Sequence, residues 1–362
     1  MCEMEVILRY RLAPYMHLGY DRTSMCLKLG YGSIQQIIEN ENLFDTLIKF
    51  MDFLQEYRTF TELQDYLSQQ EAVSKNDIEY ILDLFLKNNY VIREDECVDC
   101  MAYLGRDLLF YGLYTSQPSY VIDKLKHKKV AIIGCGGVGS NIATILARKG
   151  IGQMILVDHD VIETSNLNRN FIFTLRDIGK AKSVVLRDAI IKTNPLNLEI
   201  QTVTNKLDSP NKLSILADVD FVVLSCDDYQ FIRFITPFLY KSRIPHIIAG
   251  YLEDIIIWGP LFNPCETCCY YCFSENNIDS LGNFGQELNN IVSNINNNYI
   301  APAIFELTMI SSSFAALDTI KFLGQIGEVF SLGKRVGLWS HNMRTQIQEC
   351  QKKENCSICG LN

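Results

Sequence analysis

No apolar run in these 362 residues approaches the ~20 that a membrane-spanning helix requires, which excludes a helical integral-membrane protein. The opening MCEMEVILRY has no basic start followed by an apolar stretch, so no secretory signal is expected and a cytoplasmic location is. Positive charge is also scarce. Lys and Arg number 33 against 42 Asp and Glu, a net charge of −9. Residues 1–100 hold 9 basic and 18 acidic side chains and so carry the whole imbalance. No Lys/Arg-rich recognition helix is visible there, so a nucleic-acid partner is not expected, whereas a basic peptide suits the charge. There is no internal repeat.

Cysteine, by contrast, is plentiful at 13 residues. Without a secretion signal, reduced thiols and metal ligation are better readings than a disulfide framework. Four C-x-x-C pairs occur: Cys97/Cys100, Cys265/Cys268, Cys269/Cys272 and Cys356/Cys359.

The patterning changes near residues 95–120. Before it, EVILRYRL and CLKLGYG alternate as short strands, and NLFDTLIKFMDFLQEY repeats apolar residues at helical spacing. Thr59 and Thr61 are candidate N-caps of a second helix; Ser74 caps a third, with Asp77 completing a capping box. YVIRE closes the set as a strand. This order resembles a winged-helix module, expected over residues 1–100. Beyond it, strands and helices alternate: KVAIIG, a helix through SNIATILARKG, QMILVDHD, LEIQTV, DFVVLSC, PHIIAGY and IIIWGPLF. That is the signature of an α/β, Rossmann-like domain with a mostly parallel sheet, expected over 101–362. Residues 275–300 are Asn-rich and weakly patterned and read as a long connection; a long buried helix follows in APAIFELTMISSSFAALDTIKFLG.

Gly134-Cys135-Gly136-Gly137-Val138-Gly139 follows a strand and opens a helix, where backbone N–H groups favour a phosphate. Asp158, at the end of the next strand, is placed to hold a ribose hydroxyl. A nicotinamide dinucleotide fits this pair as well as ATP does. The following segment separates them. Asp158-His159-Asp160 runs on to Ser165-Asn166-Leu167-Asn168-Arg169-Asn170 and then Gly179-Lys180-Ala181-Lys182. Hydride transfer has no use for cations here. A carboxylate attacking the α-phosphate of ATP needs them, to offset the repulsion of two anions and the charge growing on phosphoryl oxygens.

These motifs resemble the E1-like superfamily of ThiF, MoeB and HesA adenylating enzymes. The resemblance implies that Gly134, Gly136, Gly137, Gly139, Asp158, Asp160 and Asn166 line the nucleotide site. It implies that Arg169 and Lys182 contact the phosphates and that Asp227 binds Mg²⁺, with Asp228 the alternative one residue on. Where the superfamily carries Gln after the Arg, this chain has Asn170. Arg106, in YLGRDLLFYG, resembles the arginine finger that a second subunit supplies, which implies a homodimer. Cys269, Cys272, Cys356 and Cys359 stand where the superfamily places a structural zinc site, and 275–300 where it places the crossover loop. Cys265/Cys268 overlaps the chosen pair, Cys97/Cys100 lies in the other domain, and Cys135 and Cys226 read as small buried side chains.

Three further stretches, AGYLEDIIIWGPLFNP, LGKRVGLWS and the terminal CSICG, are similar to the branch that modifies short ribosomally made precursor peptides, as in microcin C (MccB) and pantocin (PaaA) biosynthesis. The implied activity is adenylation of a peptide carboxylate, leading to a nucleotidylated or a cyclised peptide. The alternative is ThiF/MoeB-like adenylation of a sulfur-carrier protein ending in Gly-Gly.

Overall fold

The computed structural model describes residues 8–70, 73–96, 99, 101–264, 266–274, 291 and 301–360. Cys97/Cys100, Cys265 and the connection expected at 275–300 therefore fall outside the described residues, residue 291 excepted. Two compact units divide at Asp123/Lys124.

The first unit holds two three-stranded antiparallel sheets. One has β1 (Arg9–Leu12) between β5 (Arg58–Thr59) and β6 (Val91–Arg93). The other runs β2 (Leu18–Asp21), β3 (Cys26–Leu29), β4 (Gln36–Ile38). Helices α1 (Phe44–Phe53), α2 (Phe60–Ser68) and α3 (Lys75–Lys87) pack Leu47, Phe50, Leu63, Leu67, Ile81 and Phe85 into one core. Of the two caps expected for α2, Thr59 is the one used; its capping box with Glu62 and that of Ser74 with Asp77 are both formed. Such a cap contributes about 1 kcal/mol by satisfying N–H groups that the first helical turn leaves free. Helix α4 (Gly105–Gly112) also belongs to this unit, and α5 (Pro118–Lys126) crosses the boundary.

The second unit is built on an eight-stranded sheet in the order β14-β13-β12-β11-β10-β7-β8-β9. The strands are β7 (Lys129–Ile133), β8 (Gln153–Val157), β9 (Glu199–Val203), β10 (Phe221–Leu224), β11 (His246–Leu252), β12 (Ile255–Phe262), β13 (Lys334–Trp339) and β14 (Thr345–Glu349). β9 through β11 are mutually parallel, and β12 to β14 add antiparallel strands at one side. The central strands KVAII, QMILV and FVVL are almost continuously buried because helices cover both their faces. The edges, EIQTV and TQIQE, are polar and half-exposed, which discourages pairing with another chain. The connecting helices are α6 (Gly137–Arg148), α7 (Lys182–Thr193) and α8 (Tyr229–Lys241). The short α9 (Tyr270–Ser274) precedes the long α10 (Phe305–Gly324). Helix α10 starts four residues later than its apolar pattern suggests. Its Ser311, Ser312, Ala315, Ala316 and Thr319 are fully buried, and such small side chains let it approach α6 closely. There the Ser312 hydroxyl donates to the Val138 carbonyl at 3.0 Å.

At the start of β11, His246 is 1% exposed, with Nδ1 donating to the Ile244 carbonyl at 3.1 Å and Nε2 without a partner. Burial pushes its pKa down from 6.5 to about 4. Below pH 6.5 the unfolded chain takes a proton that the folded chain refuses. Stability present above that pH is therefore lost toward pH 4, at about 1.4 kcal/mol per pH unit. Between pH 7 and pH 5 the protein is expected to lose about 2 kcal/mol more than His246→Leu does, measured by urea unfolding. Equal losses would remove the ring from the pH response.

Candidate functional site

The site forms where strand order reverses. β7 leads to β8 and β9 on one side, whereas β10 returns to the other side of β7, so a crevice opens beyond their carboxyl ends. The glycine loop leaves β7 into this crevice. Gly134 has φ 92°, and a Cβ there would sit 2.5 Å from the Ser225 carbonyl oxygen after β10. A Cβ on Gly139 would overlap the Gly134 carbonyl, and one on Gly137 would lie 2.8 Å from the Arg169 carbonyl and 2.9 Å from Thr308 of α10. Gly136 differs. It caps α6 in extended conformation, and a Cβ on it would meet nothing within 4 Å. Three glycines therefore close the turn, and the fourth faces the space that a ligand would fill. Gly139→Ala is expected to cost several kcal/mol by overpacking, whereas Gly136→Ala should keep the thermal midpoint and weaken nucleotide binding. Calorimetric titration with ATP alongside thermal melts separates the two effects. Equal behaviour of the pair would contradict the assignment.

Asp158 is 8% exposed; its carboxylate accepts from the Cys135 amide at 2.6 Å and the Asp160 amide at 2.8 Å, which ties the end of β8 to the glycine loop. Lys182, first residue of α7, donates through Nζ to Asp160 at 2.9 Å and through its amide to the Asp160 carbonyl at 3.1 Å. Burial works against the charged Asp160 carboxylate, but the Lys182 ammonium outweighs it and holds the pKa below the usual range. The ion pair keeps a cation at the crevice until a stronger anion arrives.

Arg169 ends the short 3₁₀ turn Thr164–Arg169, and its guanidinium donates to the Ser165 carbonyl and, at 3.2 Å, to Asn168. Asn166 accepts from the Glu163 amide at 3.1 Å and shapes that turn. Asn170 is buried. It donates to Ser140 at 2.8 Å and accepts from the amides of Ile172 and Phe173 at 2.9 and 3.3 Å. One end of this side chain thus anchors the loop to α6 and the other shapes the loop itself, which leaves Asn170 a positioning group.

Asp227 and Asp228 part company. Asp228 caps α8, accepting from the Phe231 amide at 2.9 Å. Asp227 is exposed and accepts no hydrogen bond among the described residues, two positions beyond Ser225, which touches the glycine loop. Its carboxylate is the one available to a divalent cation beside a triphosphate. The neighbouring thiols are inert at neutral pH: burial pushes Cys226 up to about 12 and Cys135 well above its ordinary value. Arg106 is exposed on α4, in the first unit.

Elsewhere in the second unit, Cys269, Cys272, Cys356 and Cys359 place their sulfurs within 4.8 Å of one another. Cys269 lies 3.5 Å from Cys356, and Cys272 lies 3.2 Å from Cys359. These gaps are too wide for disulfides and near the ~3.8 Å between thiolates around a tetrahedral zinc. Burial pushes Cys272 up to about 12 and raises Cys269 too. At Cys356 burial is outweighed by the N–H groups of Cys359 and Ile358, which bring it down to about 7. Four thiolates in so dry a cluster require a soft cation, so the donor set fits zinc.

A cleft of about 700 Å³ lies at the opposite, amino ends of β8 and β9, between Gly152–Gln153 and Asn194–Glu199. It contains none of the glycine, carboxylate or arginine groups above.

Residues 112–359 match the ThiF family. Molybdopterin-synthase adenylyltransferase of Salmonella typhimurium strain LT2 is 28% identical over 66% of this chain and 89% of that protein. A probable molybdopterin-synthase adenylyltransferase of Porphyra purpurea is 29% identical, but the match spans only 35% of its length. Among solved structures, E. coli MccB with MccA-N7isoASN superposes with TM-score 0.87 at 28% identity, covering 97% of this chain and 100% of that one. PaaA shares the fold, at TM-score 0.68 and 19% identity, over 94% and 99%.

Proposed function

The chain belongs to the ThiF family, and on that premise we propose that it adenylates a carboxylate of a short ribosomally made peptide with ATP. The observation that carries this reading is the convergence at one crevice of an open glycine, a Lys182 held ready by Asp160, Arg169 and an unengaged Asp227.

The nucleotide phosphates lie against the amino end of α6, and the ribose lies toward Asp158. Lys182 exchanges Asp160 for phosphate oxygens, and Arg169 joins it. A second copy of the chain supplies Arg106. The peptide carboxylate attacks the α-phosphorus, the bond to the β-phosphate oxygen breaks, and pyrophosphate departs, leaving an acyl–AMP anhydride. Mg²⁺, held by Asp227, would shield the triphosphate charge. Zinc, held by Cys269, Cys272, Cys356 and Cys359, would staple the tail to the sheet domain.

A peptide rather than a sulfur carrier is favoured by the first unit. The molybdopterin relative aligns over 66% of the chain, whereas E. coli MccB aligns over 97% and its structures include complexes with N-formylated MccA. Within that unit, β4 pairs only with β3 among the described residues, so its outer edge is open to strand addition. Beside it a groove of about 310 Å³ carries Ile37, Leu43 and Tyr80 with the acidic Glu39 and Asp77. An extended peptide with basic side chains fits that lining.

Sulfur-carrier adenylation, as in the curated relatives, is the second reading. Pyrophosphate release should be compared with three probes: synthetic heptapeptides ending in Asn, peptides with paired Glu, and a carrier protein ending in Gly-Gly. Turnover with either peptide class upholds the proposal, and mass spectrometry separates nucleotidylated from cyclised product. Turnover with the carrier alone replaces the proposal with the second reading.

A further inference from the structure

Asp160 faces two side chains that can carry positive charge. Its Oδ2 accepts from Lys182 Nζ at 2.9 Å, and its Oδ1 lies 3.4 Å from His159 Nε2. The three differ in their access to water. The Lys182 side chain is only 12% exposed, whereas those of Asp160 and His159 are 52% and 45% exposed. Asp158 completes the group, with ligand atoms of Asp158, His159 and Asp160 within 4.8 Å of one another. Its carboxylate is already engaged by the amides of Cys135 and Asp160. Lys206, which follows β9, also acts electrostatically on Asp160.

Adenylation as proposed above requires Lys182 to leave Asp160 for phosphate oxygens. That exchange strands a carboxylate beside an incoming anion. Its cost depends on what still compensates Asp160 once Lys182 has gone. A protonated imidazole on the other oxygen does so, and a neutral one does not. A lysine ammonium keeps its charge through neutral pH, whereas an imidazole changes charge there. Of the side chains around Asp160, His159 is therefore the one that ties the exchange to pH.

We infer that His159 is a positioning residue which, when protonated, holds Asp160 and frees Lys182 for the triphosphate. This rests on the adenylation reading and adds to it the group that sets how readily the cation is released. At pH 6 the imidazolium shares the carboxylate, and ATP binds more tightly. As pH rises, the ring loses its proton and Asp160 falls back on Lys182. ATP must then displace a firmer ion pair. Water screens the half-exposed His159–Asp160 pair, so the effect is several-fold rather than orders of magnitude.

The test is calorimetric titration of Mg-ATP, without peptide, into the full-length protein at pH 6.0 and pH 8.0. The parent protein is expected to bind about three- to fivefold more weakly at pH 8.0. H159Q should bind weakly at both, and whatever pH dependence it keeps reports on ATP itself. H159R carries its charge at both pH values and should restore tight binding at pH 8.0. K182M should bind weakly and lose the parent's pH dependence, because the imidazole acts through Lys182. If the parent binds no ATP at either pH, the adenylation reading falls and this inference with it. With ATP bound, equal pH dependence in the parent and H159Q would overturn the inference while leaving that reading intact. So would a parent-like pH dependence in K182M, since His159 would then act on the phosphates directly.

Discussion

Asp227→Ala is expected to lower peptide-dependent pyrophosphate release by roughly 10²–10³-fold while leaving the thermal midpoint nearly unchanged. The two halves of that expectation have one cause. The Asp227 carboxylate is exposed and accepts no hydrogen bond among the described residues, so the fold does not depend on it. Its only assigned work is to hold the cation that shields the triphosphate. Asp228→Ala is the informative contrast. It removes the cap of α8 and should cost about 1 kcal/mol of stability, with most of the activity retained. Circular dichroism melts and a coupled pyrophosphate assay on both variants decide the matter. Activity lost from Asp228→Ala and kept in Asp227→Ala would move the cation site by one residue.

The other large effect concerns the cysteine cluster. Cys272→Ser is expected to lose zinc and to drop the thermal midpoint by roughly 10 °C. Cys272 is 1% exposed and lies 3.2 Å from Cys359, so its removal leaves the pair from the tail without half of its staple. Treating the parent protein with a strong chelator under reducing conditions should produce a similar drop, reversed by adding zinc. Cys268→Ser is the control, for Cys268 lies outside the four sulfurs that converge. If Cys268→Ser lost the metal and Cys272→Ser kept it, the overlapping cysteine would be the true ligand.

The parts of this site that were legible in the sequence are those fixed by local geometry. A glycine loop between a buried strand and a helix can hardly do other than place N–H groups at the strand end, and Asp158 follows one strand later. Four C-x-x-C pairs share one spacing, and it is the resemblance to the superfamily that singles out Cys269/Cys272 and Cys356/Cys359, whose sulfurs meet. What stayed hidden depends on contacts between distant segments. Asn170 stands where the superfamily carries Gln, yet its side chain is engaged by Ser140, 30 positions earlier. Asp227 and Asp228 are indistinguishable in a string; the N-cap of α8 separates them. Strands β2 (LGYD) and β4 (QII) carry a glycine and a polar Gln in runs of four and three residues, so neither shows a clear alternation. β13 and β14 escape for another reason: KRVGLW is interrupted by charge and glycine, and TQIQE is a polar edge.

The central claim is that this pocket cleaves ATP between its α and β phosphates for a carboxylate. Positional analysis of ATP carrying label in the β and γ phosphates tests it most directly, using full-length protein, magnesium and synthetic peptides ending in Asn or carrying paired Glu, with the Gly-Gly carrier in parallel. Labelled pyrophosphate released only when a carboxylate substrate is present, together with an adenylylated or cyclised product, is the expected result. Labelled orthophosphate instead, or no cleavage with any of the three substrates, would contradict the account.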